Sequence, residues 1–166
     1  MVDGPVEAKQ PTLSVAYIVR DEMFMLPQSL EQAEKIADEI VVVIDTRSKD
    51  GTYEFFATKD SNVYNAGVMA GGIIAAPIDD GRLYKVFRRI WDNGARQKQF
   101  ALEQCTKDFV LFLDGDEVLS DNCHLIKEFI NSDPEGEAFS LLGHHLIYSL
   151  KTEDNTRPLH VWDARL

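Results

Sequence analysis

Asp114 and Asp116 flank Gly115 directly after the apolar run 109–113 (FVLFL). Two carboxylates separated by a glycine at the end of a strand can turn toward one point. Oxygen ligands of this kind suit hard cations such as Mg²⁺ and Mn²⁺, which bind through few carboxylates plus substrate phosphates. A cation there would neutralise charge on a departing diphosphate; a solvated acidic turn is the plainer alternative. Two further apolar runs also end in acid, residues 13–19 in Asp21-Glu22 and 39–44 in Asp45. If these strands are parallel, the carboxylates converge on the edge where open α/β sheets bind ligands. Helix caps also place Asp at such junctions, so each junction alone says little. Arg96 and Lys98 lie in the first turns of a helical segment, where a cation and the helix dipole both favour an anion. For Arg96, plain exposed helix charge is the preferred reading. His144-His145 on a strand would face opposite ways, and His124 reads as a surface helix residue, so no histidine is given a role.

The elements that must position these groups are legible from periodicity. Residues 13–19 (LSVAYIV), 39–44 (EIVVVI), 84–88 and 109–113 read as strands, and the unbroken β-branched runs point to burial on both faces of a parallel sheet. Residues 23–37 carry apolar positions at helical spacing with Pro27 suited to the first turn, and 52–58, 93–104 and 121–131 also read as helices. A short strand is expected at 62–64, and later strands at 138–150 and 159–166. Residues 46–51 (TRSKDG) form a loop by composition. Residues 65–81 are rich in small residues and match no phosphate-cradle spacing; a mobile loop is expected. The order β-α-β-α-β, then mixed, then β-rich implies an α/β fold with a largely parallel central sheet.

Composition sets outer bounds. The 166 residues suffice for one domain of ordinary size. Residues 1–11 read as a flexible leader and 12–166 as a single domain. With 28 Asp plus Glu against 17 Lys plus Arg, the net charge is −11, opposite to what a broad nucleic-acid surface needs. No stretch approaches the ~20 apolar residues of a membrane span, so no transmembrane segment and a cytoplasmic setting are expected. Cys105 and Cys123 lack metal-ligand spacing and read as buried thiols on apolar helix faces.

The segments LSVAYIVRDE (13–22), EIVVVIDTRSKDGT (39–52), NGARQKQFALEQCTKDFVLFLDGDEVL (93–119) and, more loosely, HVWDARL (160–166) resemble the family 2 glycosyltransferases of the GT-A group, in the family's order. That resemblance implies a Rossmann-like α/β/α GT-A fold, a nucleotide-sugar donor (a UDP-sugar by family default), a divalent metal (Mn or Mg) and inversion at the transferred sugar. It implies that Ile18 and Arg20 line the base and that Asp45 hydrogen-bonds it, with Ser48 and Asp50 shaping the loop beside it. Lys98, where the family usually has Arg, would sit near the pyrophosphate. Asp114 would reach the ribose or the metal's water, and Asp116 would bind the metal. Arg47 stands where the family commonly has Gly. Family members generally continue into an acceptor-binding region that supplies the general base, whereas this sequence stops at Leu166, so the acceptor region is expected to be short or missing. Glu117, Asp154 and Asp163 are the carboxylates left for the base, with none preferred. The alternative is a non-catalytic nucleotide-sugar-binding or interaction module of the same fold. The Asp114–Asp116 motif also resembles the opening motif of haloacid-dehalogenase-type phosphatases, but it lies too late in the chain for that family.

Overall fold

The structure, a computed structural model, describes residues 10–59, 64–65, 81–136, 138–146 and 153–163, the backbone alone being described for residues 64–65, 140, 142–146 and 153–163. In chain order the elements are β1 (Leu13–Val19), α1 (Leu26–Ala33), β2 (Glu39–Asp45), α2 (Thr52–Lys59), β3 (Tyr64–Asn65), β4 (Tyr84–Arg89), α3 (Gly94–Gln104), β5 (Phe109–Asp114), α4 (His124–Asn131), β6 (Ala138–Leu146) and β7 (Glu153–Asp163). The strands form one sheet in the order β3-β4-β2-β1-β5-β7-β6. β1 pairs in parallel with β2 and β5, and β4 with β2 and β3. β7 is antiparallel to both β5 and β6.

The central strands are buried on both faces, as their unbroken apolar runs require. Alternation along them divides the core. Leu13, Val15, Tyr17, Ile40, Val42, Leu111 and Leu113 pack with Leu26 and Leu30 of α1, Phe56 of α2, and Ile126 and Ile130 of α4. Ala16, Val43, Val110 and Phe112 face Phe100 and Ala101 of α3, with Ile18 beside them. The result is an α/β/α sandwich. At roughly 25 cal/mol per Å² of apolar surface removed from water, these two layers are the main source of stability.

Several boundaries differ from the sequence expectation. α1 begins at Leu26 rather than at residue 23 and ends at Ala33. Asp21 has φ 55°, and Met23 N–H donates to Asp50 rather than entering a helix. α4 starts at His124, after a turn closed by Cys123 N–H donating to the Ser120 carbonyl. Of the apolar residues Leu125, Ile126, Phe129 and Ile130 on α4, only Ile126 and Ile130 are buried; Leu125 and Phe129 are 51% and 40% exposed. β7 begins at Glu153, earlier than residue 159. Cys123 is buried, while Cys105 caps the C-terminus of α3, half-buried. The 1–9 part of the expected leader, residues 66–80 of the small-residue stretch, and residues 147–150 and 164–166 of the expected late strands lie outside the described residues. Among the described residues no helix is long and apolar enough to cross a membrane.

Candidate donor-binding site

The parallel register brings the acidic strand ends to one edge. Ile18 lies opposite both Asp114 on β5 and Val43 on β2. Because successive residues alternate faces, Ile18, Asp45 and Asp114 all belong to the α3 side of the sheet. Asn93 caps α3, its side-chain oxygen accepting from Arg96 N–H at 2.9 Å. One turn further on, Lys98 reaches back over the Phe112 ring, with Nζ 4.0 Å from Asp114 Oδ1. That separation, between two groups that are each about half exposed, is a loose surface pairing. Arg96 points away, 73% exposed, and pairs with Asp92 at 3.7 Å, in line with plain surface charge.

Two loops close the edge beside β1. Asp21 Oδ1 accepts Lys49 N–H at 2.6 Å, and Ser48 Oγ accepts Asp21 N–H at 3.0 Å. Asp50 Oδ2 takes Met23 N–H at 2.8 Å, while its Oδ1 takes Thr52 N–H at 3.0 Å and so caps α2. Ser48 and Asp50 therefore bind the β2–α2 loop to the β1–α1 loop. Asp21 holds its left-handed backbone, φ 55°, inside this network, a conformation that Asp adopts more readily than most residues. Asp45 is covered by Arg47, whose guanidinium reaches both carboxylate oxygens, with Arg20 Nη1 at 3.9 Å from Oδ2. Burial works against charge on Asp45, but the bonds from Arg47 and the nearby Arg20 outweigh it and hold the carboxyl below its ordinary range.

Asp114-Gly115-Asp116 turns outward at the end of β5. Glu117 closes the turn: its N–H donates to the Asp114 carbonyl at 3.0 Å, and its Oε2 accepts Asp114 N–H at 2.9 Å. That inward bond occupies one of the carboxylates considered as a general base; the side chains of Asp154 and Asp163 lie outside the described residues. The Glu117 carbonyl accepts the Ser29 hydroxyl, and Ser29 contacts the buried Tyr17 hydroxyl at 2.9 Å. A polar chain thus runs from β1 through α1 to the acidic turn. Nothing in the sequence pattern marks it, since Ser29 reads as an ordinary helix residue.

Gly115 packs against Glu22, leaving the Asp114 and Asp116 carboxylates exposed on either side. Burial raises the Glu22 carboxyl above its ordinary range, and the charges of Asp116, Asp50, Asp114 and Asp21 raise it further. The carboxylates therefore share one negative field. Among the described residues no group of three or more His, Cys, Asp or Glu is arranged to hold a metal unaided. Two exposed hard-oxygen donors in an acidic field still fit a divalent cation that keeps waters and completes its shell with phosphate oxygens.

No known family's sequence model matches the chain. A lipopolysaccharide core biosynthesis glycosyltransferase, LpsC of Rhizobium meliloti, is 30% identical over 107 residues, covering 64% of this chain and 32% of that protein. The chain thus spans about a third of the length of that curated relative. Among solved structures, S. aureus TarS 1-349 in complex with UDP-GlcNAc superposes with a TM-score of 0.63 at 14% identity, over 92% of this chain and 45% of that one. The mannosyltransferase PcManGT of Pyrobaculum calidifontis, in complex with GDP-Man and Mn2+, gives 0.58 at 17% identity, over 84% and 37%. The chain has glycosyltransferase-like homology, and its α/β/α architecture is the GT-A-like fold of these structural neighbours.

Proposed function

We propose that residues 12–166 form the donor-binding domain of a family 2 glycosyltransferase, taking a nucleoside-diphosphate sugar and a divalent metal and transferring the sugar with inversion to an acceptor hydroxyl. The observation that carries this reading is the register: Ile18 lies opposite Asp114, and Asp45 and Asp114 share the α3 face with Lys98. On this reading Ile18 gives the base an apolar floor, and Asp45 accepts an N–H from its edge. Arg20 stands beside Asp45, with Nη1 3.9 Å from Oδ2. Ser48 and Asp50 hold the loop that frames the base. Lys98 directs its ammonium toward the diphosphate. Asp114 and Asp116 hold the metal, which when bound supplies positive charge to stabilise the leaving diphosphate. The neighbours bound to GDP-Man with Mn2+ and to UDP-GlcNAc lend support through their shared fold.

The test is a calorimetric titration with UDP, GDP and dTDP, with and without Mn²⁺. One nucleoside diphosphate should bind in a metal-dependent way, and Asp116→Asn should weaken that binding by on the order of tenfold or more. A folded chain that binds none of the three would sink the donor-site reading. Donor hydrolysis or sugar transfer, assayed next, separates an enzyme from a binding module.

A further inference from the structure

Asp45 stands at the carboxyl end of β2, yet its side chain is only 1% exposed. Arg47, itself half exposed, lies across it, with Arg20 Nη1 at 3.9 Å from Oδ2. Arg47 Nε lies 3.1 Å from each oxygen of Asp45, and Nη2 lies 2.7 Å from Oδ2. The backbone N–H of Arg47 adds a bond to Oδ1 at 3.0 Å. A carboxylate can only accept, and a planar guanidinium spanning both oxygens takes the lone pairs that an incoming donor would need. Each oxygen of Asp45 thus already accepts two N–H contacts from Arg47.

We propose that Arg47 is a latch over the base-reading carboxylate, closed in the ligand-free chain and displaced when a nucleobase binds. The inference rests on Asp45 contacting the base, as proposed above. Arg47 is then a specificity-determining residue: a base must present an N–H good enough to replace a charge-assisted fork, so bases lacking one are rejected at the latch. Apparent affinity is lowered by the fraction of molecules in which the latch is open. Arg47→Gly removes the fork but keeps the backbone N–H bond to Oδ1, so the turn survives.

The experiment measures binding of UDP and of uridine, in Mn²⁺, to the wild type, Arg47→Gly and Arg47→Lys, with circular dichroism confirming the fold. Arg47→Gly should bind both ligands roughly three- to tenfold tighter, and Arg47→Lys should fall between, because an ammonium cannot span both oxygens. In an Asp45→Asn background, Arg47→Gly should change nothing. Equal or weaker binding by Arg47→Gly while the wild type binds UDP would overturn the latch and leave the donor site standing. Weakening confined to UDP would instead make Arg47 a phosphate contact. If neither wild type nor variants bind any nucleoside diphosphate, the donor-site reading falls and the latch falls with it.

Discussion

Gly115 leaves no room for a side chain. A Cβ built there would lie 2.7 Å from Glu22 Cγ and 2.9 Å from Glu22 Cβ, with Val19 Cγ1 at 3.3 Å. Swinging the Glu22 tail aside cannot clear its Cβ, which is fixed to the backbone. The glycine is not one of those with positive φ, so it serves close approach rather than an unusual turn. Gly115→Ala should therefore push the acidic turn off the end of β1, costing about 1–3 kcal/mol as overpacking does. Metal-dependent UDP affinity should fall with it. A thermal melt and a Mn²⁺ titration check both, and an unchanged affinity would show that the turn does not depend on this contact. The sequence pattern made the carboxylate pair visible but not why the residue between them must be small. The same holds for Asp45 and Arg47: the acid at the strand end was legible, while the side chain two residues on that closes over it follows only from loop geometry.

At the opposite end of the sheet, one buried cluster ties three strands to the loop before β5. Lys85 of β4 pairs with Glu39 of β2, both almost wholly buried. Glu39 Oε2 also accepts Ser14 Oγ of β1 at 2.6 Å and Thr106 N–H, before β5, at 2.9 Å. Lys85→Met would strand a buried carboxylate, and the expected loss is about 3–5 kcal/mol. Burial pushes the Glu39 carboxyl up, yet the bonds from Lys85, Ser14 and Thr106 hold it below its ordinary range. Its contribution is thus complete above the unfolded value of about 4.3 and is lost as pH falls through the lower folded one. In Lys85→Met the unpaired Glu39 is relieved by protonation. The stability gap between the two proteins should therefore be widest near neutral pH and narrow below about pH 4–5, as urea melts across that range would show. A gap independent of pH would mean that Glu39 is not the group left uncompensated. Most strands were legible to within a residue because burial on both faces writes an unbroken apolar run. The early part of β7 was not. Residues 153–158 (EDNTRP) are polar, and only Val161, Trp162 and Asp163 of that strand pair with β5. At Pro158, whose partner on β6 is Leu142, the other side of β7 is not paired to β5. That is where a strand tolerates the missing donor.

Across the whole molecule, the sheet grows outward from β1 in both directions, and this order was not visible in the sequence. Chain order predicts neighbours, but not that the chain returns past β1 to place β5 on its other side. That return makes β1 and β5 adjacent and puts the acidic turn beside the β1 loop, so the site depends on the sheet staying closed there. The far side of β5 is protected by β7 through Phe109↔Asp163, Val110↔Trp162 and Leu111↔Val161. Without β7, an apolar strand with no charge before Asp114 would offer its edge to other chains, a template for aggregation. A chain ended after residue 150 should therefore elute from size exclusion as oligomers at concentrations where the full chain is monomeric, and its melting midpoint should fall. Addition of a synthetic 153–163 peptide should restore part of the monomer by pairing with β5. A shortened chain that stays monomeric with an unchanged melt would mean that the β5 edge is covered by some other part of the chain and that β7 is not what seals it.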